Sequence, residues 1–386
     1  MRILLFVSFF TIAILSLTFG IVSLFKGDTG YQIITTGNDE NSFMDNELVL
    51  NYYIGNNNEN ELKEITKLYS DLVSYSYKLL DSEILYDDIF NIAYINNHLN
   101  EEIEIDSILY NSFYMIKEYD LLFILYLGPL YYETTGIIYN SSSLDLFSPL
   151  YNNEVNKYFN DIIHYINNNS IELVLLDNNK IKLAIDNDYL DYIKNNNVKN
   201  IIGFGWIKNA IMVDYIANNL MSKGYIYGIL SSVDGYTRIL DNTNEYNYSI
   251  IDYDKRSYIC ATIKYNNSYS IVNLRNYIYL AEDYYRILYI NEEEIYSYYL
   301  DSNGKYLKEN RNIINYSLYY SCLEISLNMF DLFFNEISIN EINRIYEKEI
   351  FTLYCDNKIV YYNDNNCNIY NFEEVDGIRY NKKYIK

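Results

Sequence analysis

The chain contains 386 residues, half of them hydrophobic, which is enough to bury the core of one large domain or two smaller ones. Its formal charge of −23 argues against binding to nucleic acid or to anionic lipid, because both require clustered lysine and arginine. With only two histidines, the chain has little material for a histidine-rich zinc site or a Ser-His-Asp triad. The 49 tyrosines are better explained by an AT-rich genome than by function, so a single tyrosine is weak evidence of a site.

The N-terminal segment predicts a membrane anchor. The run from Ile3 to Phe25 carries no charge, is flanked by Arg2 and Lys26, and can cross about 30 Å of hydrocarbon as a helix. We favour an uncleaved transmembrane anchor over residues 1–26, followed by a polar linker over 27–42. A cleaved signal peptide, whose cleavage-site match is poor, and a buried core helix are the alternatives. Arg2 suits a cytoplasmic N-terminus, so we expect the body on the outer face of a bacterial membrane.

The first part of the body predicts a strand, two helices and an apolar run. Apolar residues alternate with polar ones over 48–52, which is typical of a half-buried strand. Between 59 and 80 they recur every three or four residues and predict an amphipathic helix. Asp106 predicts the N-cap of a second helix that ends near Lys117. An apolar run over 121–130 follows and is closed by a Gly-Pro pair.

The second part predicts two further kinds of unit, hairpins and a strand-helix-strand crossover. Hairpins are predicted over 171–186, 257–272 and 286–300, the crossover over 199–231, and a helix over 317–334. The fold class that follows is mixed α/β (α+β), with a single large domain that has two lobes.

The turn between the crossover's first strand and its helix is a candidate binding element. Gly203 and Gly205 lie there, and glycines at such a turn let a phosphate approach the backbone while the helix N-terminus supplies N–H donors. Lys208 stands where a dinucleotide motif has its third glycine, so a simple tight turn is the alternative. Gly224 is placed to end the helix with a positive φ.

Cysteine spacing leaves two interpretations open. The four cysteines form no C-x-x-C pair and have no neighbouring histidine. Cys355 and Cys367 could form a disulfide outside the cell. Two buried free thiols are at least as consistent with the spacing.

Six segments in chain order resemble the ApbE-like FAD:protein FMN transferases. The central one, Gly203 to Asp214, is similar to the family's D-L-G-G-I-A-K-G-Y-A-V-D. The other five are residues 88–96, similar to a segment that ends in Ile-Asn or Leu-Asn; 123–130, to G-x-F-D-x-x-x-G-P-L; 280–286, to T-S-G-D-Y-E-R; 298–304, to H-I-I-D-P-x-T-G; and 324–328, to D-x-x-x-T. The similarity is collinear over residues 43–334 and implies an ApbE-like domain over 43–386.

The resemblance implies an enzyme that transfers FMN from FAD to a Ser or Thr of a target protein and releases AMP, with Mg²⁺ on the pyrophosphate. The implied metal ligands are the Lys208 carbonyl, Glu324 and Asn328. The implied catalytic residues are Tyr298 and Asp301. The implied FAD-binding residues are Met44, Gly205, Asp214, Asp283 and Tyr284.

The same segments depart from the family's motifs. Tyr298 replaces a histidine, and Glu324 and Asn328 replace an aspartate and a threonine. Each such loss removes a contact worth about 1 to 3 kcal/mol. The alternative hypothesis is therefore a non-catalytic flavin- or protein-binding paralogue on the cell surface, and a third is an acidic surface protein without a ligand.

Several candidate residues also have purely structural explanations. Asp283 and Asp301 follow strand-like segments and could simply begin turns. Asp214 could be a surface residue of its helix, and Trp206 could anchor the core instead of stacking on a flavin.

Overall fold

A nine-stranded sheet organises the part of the chain that the structure describes. The computed structural model describes residues 30–36, 47–55, 59–254, 256–290 and 295–385. The strands are β1 Gly30–Ile34, β2 Leu48–Ile54, β3 Glu102–Glu104, β4 Ile171–Leu175, β5 Lys180–Ile185, β6 Gly228–Ser232, β7 Tyr236–Ile239, β8 Tyr246–Asp254, β9 Arg256–Tyr265, β10 Ser270–Arg275, β11 Ile287–Tyr289, β12 Ile295–Ser297, β13 Asn312–Ser317, β14 Phe351–Asp356, β15 Ile359–Tyr362, β16 Asn368–Tyr370, β17 Glu374–Val375, β18 Ile378–Arg379 and β19 Asn381–Tyr384.

The central sheet has the order β1-β2-β6-β7-β10-β13-β14-β15-β19. All neighbouring pairs are antiparallel except β15 and β19, which are parallel. Two three-stranded sheets, β3-β5-β4 and β16-β9-β8, share no strand hydrogen bonds with it.

The described residues also form helices of 4 to 21 residues. They are α1 Glu59–Leu79, α2 Ile92–Asn97, α3 Ser107–Glu118, α4 Phe123–Tyr126, α5 Gly128–Tyr139, α6 Leu144–Phe147, α7 Asn153–Asn167, α8 Asn187–Asn196, α9 Lys208–Ser222, α10 Cys322–Asn328, α11 Phe330–Phe334 and α12 Ile339–Tyr346. Helix α9 packs against α1, α10, β6 and β7. Within the described ranges, no helix is long and apolar enough to cross a bilayer.

The central strands are buried on both faces, which explains why their sequences lack a clean apolar-polar alternation. In β10, Val272 and Leu274 join the large core beneath the helices, whereas Ile271 joins a second core. Side chains alternate between the two faces of a strand, so each face of β10 needs its own apolar cover. The β16-β9-β8 sheet supplies the second cover through residues such as Ile250 and Ile263.

Several predicted elements are confirmed. Strand β2 buries alternate residues, and α1 matches the predicted amphipathic helix almost to the residue. The Asp106 carboxylate accepts a hydrogen bond from the Ile108 N–H at 2.7 Å and caps α3. Strands β4 and β5 form the predicted hairpin, and β11 pairs with β12 as expected. The mixed α/β class is also confirmed.

The crossover predicted over 199–231 is wrong in its first strand. Residues 201–204 are buried but form no strand. The Asn96 side chain takes both backbone hydrogen bonds of Ile202, at 2.8 and 3.0 Å, and the Gly203 N–H donates to the Leu125 carbonyl at 2.9 Å. These partners satisfy the backbone without a neighbouring strand, so burial and apolar composition were misleading here. Gly224 does end α9, with φ +87°.

Other predicted boundaries also need correction. The hairpin over 257–272 is wrong, because β9 pairs with β8 while β10 belongs to the central sheet. The Gly-Pro pair at 128–129 begins α5 instead of ending the apolar run. The helix predicted over 317–334 starts at the Ser321 cap and is divided into α10 and α11. Residues 30–34 of the predicted linker form β1, whereas the predicted anchor lies outside the described residues.

Candidate functional site

A cleft with aromatic walls lies where α1, α5 and the start of α9 meet. It consists of two adjoining cavities of about 220 and 350 Å³. Its aromatic lining comprises Tyr77, Tyr131, Tyr132, Tyr139, Phe204, Trp206, Tyr285, Tyr298 and Tyr299. Its charged lining comprises Glu47, Asp81, Glu83, Lys208, Asp234 and Arg286. Four carboxylates therefore face two cations.

Four of the six segments identified in the sequence meet at this cleft. Gly128 comes from the second segment, Gly205 and Lys208 from the central one, Arg286 from the fourth and Tyr298 from the fifth. These residues are far apart in the chain, and folding alone brings them together.

Two cations have different environments in the cleft. Arg286 Nη1 lies 3.3 Å from a Glu47 oxygen, and Arg286 Nη2 lies 3.8 Å from Asp283. The Lys208 ammonium lies 4.7 Å from the centre of the Tyr77 ring. Among the described residues, no carboxylate oxygen lies within 4.0 Å of that ammonium. Burial lowers the pKa of Lys208, and the nearby carboxylates of Asp81 and Glu47 oppose that shift.

A hydrogen-bonded group of carboxylates lies beside Lys208. The Asn209 amide donates to Asp234 at 3.0 Å, and the Ser232 hydroxyl donates to the other Asp234 oxygen. Burial raises the pKa of Glu47, while Arg286 counteracts the shift. Glu47 and Asp234 were not singled out from the sequence. Arg286 is the last residue of the segment 280–286, and it matches the arginine of the family motif. That match could have identified it as a site residue.

Gly205 lines both cavities of the cleft and is also required for packing. Its φ is +51°, and a Cβ placed there would lie 2.3 Å from the Tyr131 ring. The space that a side chain at position 205 would need is therefore filled by the Tyr131 ring. Gly128 is equally constrained, because a Cβ there would lie 2.2 Å from the Asn200 carbonyl oxygen.

Asp214 and Asp283, predicted to bind FAD, are buried structural carboxylates. Asp214 pairs with Arg238 at 3.0 Å and accepts the N–H groups of Cys322 and Leu323, both at 2.9 Å. It thereby caps α10 from outside the helix. Asp283 pairs with Arg275 at 2.9 Å. Neither aspartate lines the cleft.

The remaining FAD-binding candidates are not placed in the cleft by the structure. The Tyr284 side chain is 65% exposed and does not line the cleft, although its neighbour Tyr285 does. Met44 lies outside the described residues.

Of the two predicted catalytic residues, only Tyr298 reaches the cleft. Burial raises the pKa of Tyr298 to about 12, so the phenol is protonated at neutral pH and suits a hydrogen-bonding role better than that of a base. Asp301 instead accepts the N–H groups of Asn303 and Lys305, both at 2.8 Å. It shapes a turn, as the structural alternative predicted.

The three predicted metal ligands are not all in the cleft. Lys208 lines the cleft, whereas Glu324 and Asn328 do not. The Glu324 carboxylate accepts the Ser321 N–H at 2.9 Å in a capping box. The Asn328 amide oxygen accepts the Lys348 ammonium at 2.7 Å, and its NH₂ group donates to the Tyr119 hydroxyl. A cation already occupies the oxygen that magnesium would need, so these residues do not fit Mg²⁺.

We therefore expect Glu324→Ala to affect stability and not metal binding. The variant removes half of the α10 capping box and should lower the free energy of unfolding by about 1 kcal/mol. Urea unfolding measures this loss. Isothermal titration with MgCl₂ should give the same heat of binding for the wild type and for Glu324→Ala. Glu341→Ala is a suitable control because Glu341 lies in the first turn of α12 and pairs with Arg344. A Mg²⁺ signal that disappears only in Glu324→Ala would restore the metal assignment.

The fold and the cleft together define a mixed α/β protein with a charged, aromatic-walled cleft. No protein-family model and no curated protein matches the chain. Solved structures do match. The ApbE protein of Thermotoga maritima is similar with a TM-score of 0.56 and 12% identity, over 85% of this chain and 94% of its own.

Two further structures are similar to the same extent. A mutant of the flavin transferase ApbE of Vibrio cholerae has a TM-score of 0.55 and 12% identity, over 89% of this chain and 97% of its own. The apo form of the Pseudomonas stutzeri flavinyl transferase ApbE has a TM-score of 0.52 and 10% identity, over 86% and 92%. This chain therefore has the fold of the ApbE flavin transferases, which confirms the resemblance at the level of fold.

Proposed function

We propose that the cleft binds a flavin nucleotide and that the chain is a non-catalytic relative of the FAD:protein FMN transferases. The observation that carries the proposal is the convergence of four motif-like segments on one cleft in a chain with the ApbE fold. The sequence resemblance singles out these segments without any information on their positions in space. A cleft built from them is the natural place for the ligand that the solved relatives' names indicate.

The lining suits the two parts of a flavin nucleotide. The partly exposed aromatic side chains of Tyr77 and Tyr298 offer stacking surfaces for an isoalloxazine ring, whereas Trp206 is buried in the core against Tyr299 and Phe334. Lys208 has no carboxylate oxygen within ion-pair distance among the described residues, so its ammonium can donate to a phosphate oxygen. Such charge-assisted hydrogen bonds are about twice as strong as neutral ones. The carboxylates of Glu47 and Asp234 weaken this attraction and favour a ligand with few negative charges.

The transfer reaction is less well supported than binding. As the resemblance implies it, the reaction needs Mg²⁺ on the FAD pyrophosphate, and Glu324 and Asn328 have other partners. It also needs a group that accepts the proton of the incoming hydroxyl, and the raised pKa of Tyr298 makes this phenol a poor acceptor. These two observations weigh against transfer of FMN to a target protein.

Replacing Lys208 tests the binding mode. Lys208→Met keeps the length of the side chain but removes its charge, and we expect at least tenfold weaker binding of FAD and FMN, about 1.4 kcal/mol. Quenching of flavin fluorescence on titration measures both affinities. Lys223→Met is the matched control, because Lys223 is exposed just beyond the other end of α9. Equal affinity of wild type and Lys208→Met would contradict the assigned contact.

Incubation of the wild-type protein with FAD and Mg²⁺, followed by assays for bound flavin and for released AMP, separates the hypotheses. Wild-type protein that binds neither FAD nor FMN would overturn the flavin proposal and favour a protein-binding or ligand-free surface protein. Release of AMP from FAD in the presence of Mg²⁺ would instead restore the transferase. We expect bound flavin without AMP.

We also propose that the protein acts outside the cell, tethered by its N-terminal segment. The uncharged run from Ile3 to Phe25 next to Arg2 supports this, although residues 1–29 lie outside the described ranges. Protease added to intact protoplasts is expected to digest the body. A fully protected body, digested only after lysis, would contradict this orientation.

A further inference from the structure

Two cysteines that are distant in the chain meet between two sheets. Cys260 on β9 and Cys355 on β14 have their sulfur atoms 3.4 Å apart, and both are free thiols. We propose that this pair is a disulfide site, which closes when the protein meets a small-molecule disulfide such as oxidised glutathione. A bond there would join the β16-β9-β8 sheet covalently to the central sheet.

A β-bulge in β9 directs Cys260 toward its partner. Ile250 pairs with Ala261 and Ile251 with Ile259, so Cys260 is the extra residue between them. Cys260 and Ala261 are both fully buried although they are consecutive, whereas Ile259 is 41% exposed. A regular strand would turn one of the two consecutive side chains outward. The bulge turns both inward, where the sulfur faces β14.

The pairing differs from the disulfide considered from spacing. In the structure the thiol that contacts Cys355 is that of Cys260, and not that of Cys367. Cys322 is buried elsewhere, with its thiol directed to the Thr237 carbonyl at 3.5 Å. The site therefore involves two of the four cysteines and leaves Cys322 and Cys367 reduced.

Partial exposure of Cys355 determines which of the two thiolates reacts first with the oxidant. Cys355 is partly exposed, whereas Cys260 is fully buried. The Cys355 thiolate attacks the oxidant's S–S bond, forms a mixed disulfide and releases one thiolate. The Cys260 thiolate then attacks the Cys355 sulfur, forms the internal bond and releases the second thiolate. The two cysteines lose two electrons and two protons, and the oxidant gains them as two thiols.

The site should oxidise slowly at neutral pH and faster in alkali. Although Cys355 is partly exposed as a residue, its sulfur atom is buried. The hydrogen bond with Cys260 and this burial raise the pKa of the Cys355 thiol well above its usual value. Only the thiolate is nucleophilic, so its small population limits the first step. The sulfurs also have to close to about 2.0 Å, which requires a shift of the two strands.

Thiol counting on the folded full chain tests the proposal. The protein is incubated with oxidised glutathione at pH 7 and pH 9, denatured in acid, alkylated and digested for mass spectrometry. We expect a linked peptide pair that contains Cys260 and Cys355, with Cys322 and Cys367 alkylated, and at least tenfold faster formation at pH 9. Cys322→Ser and Cys367→Ser should still form the link, whereas Cys355→Ser should not.

Two results would overturn the proposal. One is full alkylation of all four cysteines after prolonged oxidation at pH 9, in protein whose circular dichroism shows it to be folded. The other is a link between Cys355 and Cys367. If Cys355→Ser fails to fold, Cys355→Ala serves instead, and the linked peptide from wild-type protein already decides the pairing.

Discussion

Asp283→Ala is expected to lower the free energy of unfolding by about 3 to 5 kcal/mol, because it leaves a buried guanidinium without its counter-ion. The Arg275 and Asp283 side chains are only 5% and 4% exposed, and they lie 2.9 Å apart. Asp283 also accepts the N–H groups of Tyr279 and Leu280, at 2.9 and 2.7 Å. Both donors would lose their partner in the interior. Urea unfolding followed by circular dichroism measures the loss.

A surface ion pair provides the matched control. Glu245 lies 2.8 Å from Lys264, with side chains 62% and 30% exposed. Glu245→Ala should leave the free energy of unfolding nearly unchanged, since solvent screens the pair. A loss below 1 kcal/mol in Asp283→Ala as well would show that water reaches Arg275. A large loss of flavin affinity without a loss of stability would return Asp283 to its predicted role in binding.

Gly205→Ala is expected to destabilise the protein by about 2 to 5 kcal/mol. About 1 to 2 kcal/mol comes from placing a Cβ on a residue with positive φ, and about 1 to 3 kcal/mol from displacing the Tyr131 ring. That ring lines the cleft, so flavin affinity should fall together with stability. Gly224→Ala isolates the backbone contribution, because Gly224 also has positive φ but nothing lies within 4 Å of its added Cβ.

A double-mutant cycle tests the steric explanation directly. Tyr131→Ala removes the ring that the new Cβ would strike, so the two substitutions together should cost about 1 to 3 kcal/mol less than the sum of their separate effects. Urea unfolding of the four proteins measures the coupling. Strictly additive losses would mean that backbone strain alone makes Gly205 necessary.

Local sequence patterns were sufficient for elements whose stability depends on one exposed and one buried side. The alternation over 48–52 predicted β2, the three-to-four-residue spacing over 59–80 predicted α1, and Asp106 predicted the start of α3. In each case the signal lies within a few residues, because the period of the element or the chemistry of its cap is local. The six segments also predicted the fold, because they follow the order of the family's motifs over most of the chain.

Prediction failed where residues are buried on all sides. The segment 201–204 is as apolar as a strand, yet the Asn96 side chain and the Leu125 carbonyl satisfy its backbone. In the same way, β9 and β10 follow each other in the chain but belong to different sheets. Apolar composition records burial and not the hydrogen-bonding partner, so periodicity cannot separate these cases.

The sequence by itself determined the fold class, the amphipathic elements and the segments that build the cleft. Only the tertiary structure decided what individual polar residues do. Asp214 and Asp283 form buried ion pairs with arginines. Gly205 lies against the Tyr131 ring, and the Asn328 amide oxygen accepts a hydrogen bond from the Lys348 ammonium. The physical reason is that a carboxylate, an amide or a thiol can interact with any partner that folding brings within about 3 Å. That partner is set by contacts between residues distant in the chain.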